Sequence, residues 1–160
     1  MTDDPAPDPA DSVSLRIEAS ADALYDIISD PVKMGELSPE FISGRWLDGA
    51  TGAAVGARFK GKNKRGLVRW STTSKVIAAD RGREFAFEVA DSGTRWGYVF
   101  EPDGTATVVT ESRAAAGKYP FIAKAFATVL LGGVDSHAEE LHAGMRATLE
   151  HLKQVAEASA

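Results

Sequence analysis

The chain has 160 residues, of which 44% are hydrophobic and 26% charged, with a formal net charge of −5; such a composition supports one buried core and argues against broad disorder. Cysteine is absent, which excludes a disulfide framework, a thiolate metal site and a cysteine nucleophile, and the acidic balance opposes a nucleic-acid partner. No basic, apolar leader and no run of roughly 20 apolar residues occurs, so no transmembrane segment is expected and the cytoplasm is the expected location.

Residues 1–11 hold three of the seven prolines and four aspartates. They cannot bury apolar area and are expected to form a disordered tail, with the folded domain spanning 12–157. From Ser12, the residues Val13, Leu15 and Ile17 alternate with Ser14, Arg16 and Glu18, the period of a half-buried strand. Ser20-Ala21-Asp22 starts a helix through Ile28, which Asp30-Pro31 stops. A second short helical piece is expected from Pro31 to Gly35 or from Pro39 to Ile42.

After Gly44 turn signals become frequent: Asp48-Gly49, Asn63-Lys64-Arg65-Gly66, Asp80-Arg81-Gly82, Asp91-Ser92-Gly93 and Asp103-Gly104. They predict a meander of hairpins. Strand alternation assigns faces. Val68, Trp70, Thr72, Ser74 and Val76 share one side, as do Phe85, Phe87 and Val89, and then Trp96, Tyr98 and Phe100. In the last strand either Val108, Thr110 and Ser112 or Val109, Glu111 and Arg113 face in, and the former set is the expectation. From Lys118 the spacing becomes helical, through Ile122, Phe126, Leu130, Val134, His137, Leu141, Met145, Leu149, Leu152 and Val155. Gly132-Gly133 should break it into a shorter helix and a long one. Whether that break serves function stays open.

One strand, two short helices, six strands in hairpin succession and a long C-terminal helix is the element order of the helix-grip fold. The chain resembles the SRPBCC superfamily, which includes START lipid-transfer domains, pollen-allergen-like carriers and polyketide cyclase/dehydrase proteins. The resemblance rests on Ile17 through Tyr25, Ser29-Asp30-Pro31, Gly56 through Phe59, Trp70 through Val76, Arg83 through Phe87 and Gly104 through Ser112. It implies an α+β, START-like domain in which a curved antiparallel seven-stranded sheet surrounds a long C-terminal helix, two short helices following the first strand. It also implies a cavity for lipids, polyketides or other apolar molecules.

The expected function is binding, and by extension transport, of a hydrophobic small molecule or lipid. Its wall residues are Trp46, Trp70, Thr72, Phe85, Phe87, Trp96, Tyr98, His137, Leu141 and Met145. An alternative is an enzyme of the polyketide cyclase/aromatase kind, with His137, Tyr98 and Thr72 as candidates for moving protons; a second is a stress-response module acting through a partner surface. His137 on the apolar stripe reads first as a buried residue bonded to a carbonyl, while His142 and His151 read as solvated. Glu111 and Arg113 matter only if their strand takes the other facing. No cofactor is implied, and no metal, because the histidines lack ligand spacing. Arg58, Lys60, Lys62 and Lys64 put four cations on one strand face, read as a solvated outer face or, more sharply, as a contact with anionic lipid or an acidic carrier protein.

Overall fold

Seven strands form one antiparallel sheet in the order β1-β7-β6-β5-β4-β3-β2. The computed structural model describes residues 12–115 and 134–158. In chain order these form β1 (Ser12–Ile17), α1 (Ala21–Ile28), α2 (Pro31–Met34), β2 (Phe41–Trp46), β3 (Arg58–Arg65), β4 (Val68–Asp80), β5 (Glu84–Val89), β6 (Thr94–Asp103), β7 (Ala106–Ala115) and α3 (Val134–Ala158). The expected tail at 1–11, the shorter helix after Lys118 and the Gly132-Gly133 break lie outside the described residues, as do the side chains of His137 and Leu141.

Local chemistry explains the helices. The Ser20 side chain caps α1 by accepting from the Ala23 N–H at 3.2 Å, which satisfies one of the N–H groups left open at a helix start. Leu24, Tyr25 and Ile28 are then buried on one stripe. Asp30 caps α2 at the Val32 N–H (2.9 Å) and Pro31 fills its first turn, where a missing N–H costs nothing. Of the two places expected for the second helix, Pro31 to Gly35 is correct. Pro39 to Ile42 is not helical: Phe41 opens β2, and its N–H is instead taken by the Ser38 side chain at 3.3 Å.

The core is one cluster from Val13 and Ile17 in β1, through Leu24 and Ile28 in α1 and Phe59, Val76, Phe85 and Val109 in the sheet, to Met145, Leu149 and Leu152 in α3. Rings meet edge to face in succession: Trp46 on Phe59 and Phe59 on Phe87, and separately Tyr25 on Phe85 and on Phe100. Such contacts contribute about 0.5–1.5 kcal/mol each beyond area burial. The helix α3 packs against β1, β7 and α1. Two histidines expected to be solvated also reach backbone carbonyls: a ring nitrogen of the half-buried His142 lies 3.2 Å from the Ser12 carbonyl, and one of His151, which is exposed as expected, lies 2.6 Å from the Leu37 carbonyl.

Candidate functional site

The facing of β7 decides the chemistry of the inner sheet surface. Thr107, Val109 and Glu111 are buried, at 1%, 0% and 3% exposure, whereas Val108, Thr110 and Ser112 are only half-buried. The expected inward set was therefore the wrong one. Its cause is the hairpin: Asp103 pairs with Ala106 across the two-residue turn Gly104-Thr105, and counting back from that pair puts Tyr98 opposite Glu111 and Trp96 opposite Arg113. A register fixed by a tight turn overrides the cost of burying a carboxyl.

That cost is met in part by a neighbour. The Tyr98 hydroxyl donates to Glu111 Oε1 at 2.9 Å, a bond buried on both sides. Among the described residues Glu111 Oε2 is buried with no hydrogen-bond partner. Burial disfavours the charged form and pushes the Glu111 carboxyl up to about 8, while the phenol bond pulls weakly the other way. Tyr98 itself is raised well above the ordinary phenol value, first by burial and then by the carboxyl beside it. At neutral pH the pair is a phenol donating to a protonated carboxyl, so Oε2 carries a proton that has no acceptor within the described structure.

Around this pair the structure sorts the remaining expected wall residues. Phe85, Phe87 and Met145 are buried, and the two phenylalanines lie against each other and against other rings, so they fill core. Trp46 and Trp96 are half-buried, Thr72 likewise, and Trp70 is 39% exposed. These four retain surface on the inner face. Thr72 accepts from Asn63 Nδ2 at 3.2 Å across the β3–β4 ladder. Phe41, which was not expected in this region, lies over the facing glycines of β2 and β3: a Cβ on Gly61 or on Gly44 would collide with its ring. At the other side of the sheet, a groove of about 210 Å³ runs between β1 and α3, lined among others by Val13, Leu15, His142 and Arg146. Val13 of this groove pairs with Glu111 in the β1–β7 ladder, but Glu111 does not line it. Its volume is below the roughly 300 Å³ at which drug-sized ligand sites begin.

Glu111, considered from sequence only for the less favoured facing of its strand, is the residue brought inside, and the signal that finds it is the turn. No group of His, Asp and Glu able to hold a metal ion occurs among the described residues. No helix there is long and apolar enough to cross a membrane. The four expected cations of β3 do lie on the outer face, with Arg58 paired to Asp48 at 2.9 Å.

Comparison with known proteins agrees with this architecture. A family model described as polyketide cyclase / dehydrase and lipid transport matches residues 12–157. Among solved structures, the Polyketide_cyc-like protein Cgl2372 from Corynebacterium glutamicum is 30% identical, with a TM-score of 0.60 over 92% of this chain and 91% of that one. The KanY protein is 20% identical, with a TM-score of 0.67 over 96% of this chain and 99% of that one. The di-domain ARO/CYC BexL from the BE-7585A biosynthetic pathway is 16% identical, with a TM-score of 0.64; 89% of this chain is covered and 44% of that one. No curated protein matches.

Proposed function

The chain belongs to the polyketide cyclase / dehydrase and lipid transport family, and from that premise we propose that it holds a hydrophobic small molecule on the concave face of its sheet, with the molecule's polar end at the Tyr98–Glu111 pair. The observation that supports this reading is Glu111 Oε2, buried without a partner among the described residues. An unmade hydrogen bond at a buried group costs roughly 1–3 kcal/mol, and a ligand oxygen accepting from the protonated carboxyl would recover it. The ligand class that fits is an apolar molecule with a carbonyl or hydroxyl oxygen. Trp46, Trp70, Thr72 and Trp96 offer it inner-face surface, and Leu141 and His137, one and two turns before Met145 on α3, belong to the same proposed wall.

Native mass spectrometry of the purified protein tests this. The expected result is a retained apolar compound whose occupancy survives Glu111→Gln, which keeps a donor at the Oε2 position, and falls at least about tenfold in Glu111→Ala. Equal occupancy in wild type and Glu111→Ala, or no retained compound together with no uptake of a hydrophobic fluorescent probe, would sink the reading.

A second reading, an enzyme of the cyclase/aromatase kind, draws on one specific feature: a carboxyl that titrates near 8 can give and take protons at the operating pH. Tyr98, His137 and Thr72 join it as candidate groups. On this reading Glu111→Gln binds as wild type yet loses turnover of a poly-β-ketone substrate, whereas a carrier shows no turnover before or after the change.

A further inference from the structure

Between Gly49 and Ala79 the sequence carries seven lysines and arginines and no carboxylate, within a chain whose net charge is −5. The β3–β4 hairpin orders these charges. Lys64 pairs with Arg69, Lys62 with Ser71 and Lys60 with Thr73 in the ladder, and Arg45 stands beside Lys60 from β2, so all five cations share the outer face. Among the described residues none of the five takes part in an ion pair. The turn is Gly66-Leu67, with Gly66 at φ 60°, the glycine-first pattern of a tight two-residue hairpin. Leu67 at its apex is 100% exposed. Val68 at 65% and Trp70 at 39% follow on the opposite face.

We propose that this hairpin docks on an anionic lipid surface, Leu67 and Val68 entering the headgroup boundary while Arg45, Lys60, Lys62, Lys64 and Arg69 meet the phosphates. The two halves of the device together complement a bilayer. Apolar side chains held in water at a tight turn, Leu67 fully and Val68 at 65%, are a cost that the hydrocarbon of a lipid surface removes. Cations near a negative leaflet strengthen binding by about fivefold each, an effect that fades beyond a Debye length. Tryptophan just behind the tip suits the interface between headgroups and water. A nucleic acid would use the cations and leave Leu67 and Val68 in water. The proposal stands independently of what the concave face holds.

The test is co-sedimentation of the full chain with phosphatidylcholine vesicles with and without phosphatidylserine, at low and high salt. Binding is expected only with phosphatidylserine and should fall at least about tenfold as salt is raised. Leu67→Asp/Val68→Asp should weaken it at least about tenfold, the worth of burying a leucine side chain. Lys62→Glu/Lys64→Glu should do so at low salt and leave little further salt dependence. Since Leu67 is fully exposed, Leu67→Ser gives a milder variant that retains the fold and should show the same loss in part. Absence of phosphatidylserine-dependent binding would overturn the proposal. So would wild-type binding by Leu67→Asp/Val68→Asp, the behaviour of a purely electrostatic surface such as one for nucleic acid. A concentration-dependent dimer that Leu67→Asp abolishes, without vesicle binding, would assign the tip to a second copy of this chain instead.

Discussion

Glu111 holds the proton balance of the inner face, and its titration predicts a stability profile. Its carboxyl is raised from 4.5 to about 8 in the folded protein, so between those values the folded state binds a proton that the unfolded chain has released. Stability contributed by this group is fully present below the unfolded value and is lost as pH rises through about 8. Glu111→Gln keeps the shape and the acceptor for Tyr98 but removes the titration. We expect chemical denaturation of wild type to lose on the order of a few kcal/mol between pH 5 and about 9 from this group, and the variant to lose markedly less. Parallel profiles for the two proteins would place the carboxylate in contact with water. The residue was poorly legible in sequence because Val108-Thr110-Ser112 and Val109-Glu111-Arg113 each carry one apolar and two polar side chains, so hydrophobic pattern alone cannot choose between them. The two-residue turn at Gly104-Thr105 can, since it fixes which residues of β6 and β7 oppose one another.

At the scale of elements, hairpins that begin and end at clear turns were readable, and the apolar faces of β4, β5 and β6 with them; the facing of β7 and the strand β2 were not. The strand β2 is short, begins beside Pro39 and carries a register shift between Phe41 and Ser43, so it lacks the regular alternation that marks β5 and β6. Its place is set by close approach: α2 packs on it through Gly35, which sits against the Ile42 carbonyl, and the Phe41 ring covers the facing pair Gly44 and Gly61. Both glycines act here by having no side chain. Gly61→Ala should therefore displace the ring and cost about 1–3 kcal/mol in thermal or chemical denaturation, the usual penalty of overpacking, while Gly52→Ala, whose Cβ would meet open space, should change stability by less than about 0.5 kcal/mol. If both substitutions were equally mild, Phe41 would not be held over the pair. The same reasoning covers α1, where Ser20→Ala removes the cap on the Ala23 N–H and should cost about 1 kcal/mol.

For the molecule as a whole, the order of strands separates the two edges of the sheet while the core joins them. The strand β1 lies at one edge and β2 at the other, yet buried side chains run without a break from Val13 to Phe59 and on to Leu149. The three tryptophans, Trp46, Trp70 and Trp96, stand on β2, β4 and β6, whereas α3 touches the sheet at β1 and β7. This geometry makes a test of cooperativity. Leu149 is fully buried, and Leu149→Ala should cost about 2–5 kcal/mol through lost transfer energy and the space left behind. If the core unfolds as one unit, tryptophan fluorescence must report that loss even though no tryptophan lies on β1 or β7, and its denaturation midpoint should shift together with that of far-ultraviolet circular dichroism. Should the helical signal move to lower denaturant while the fluorescence midpoint stays in place, α3 would open separately from the sheet. The inner face would then be reached by lifting the helix, and ligand entry and the stability of α3 would become the same measurement.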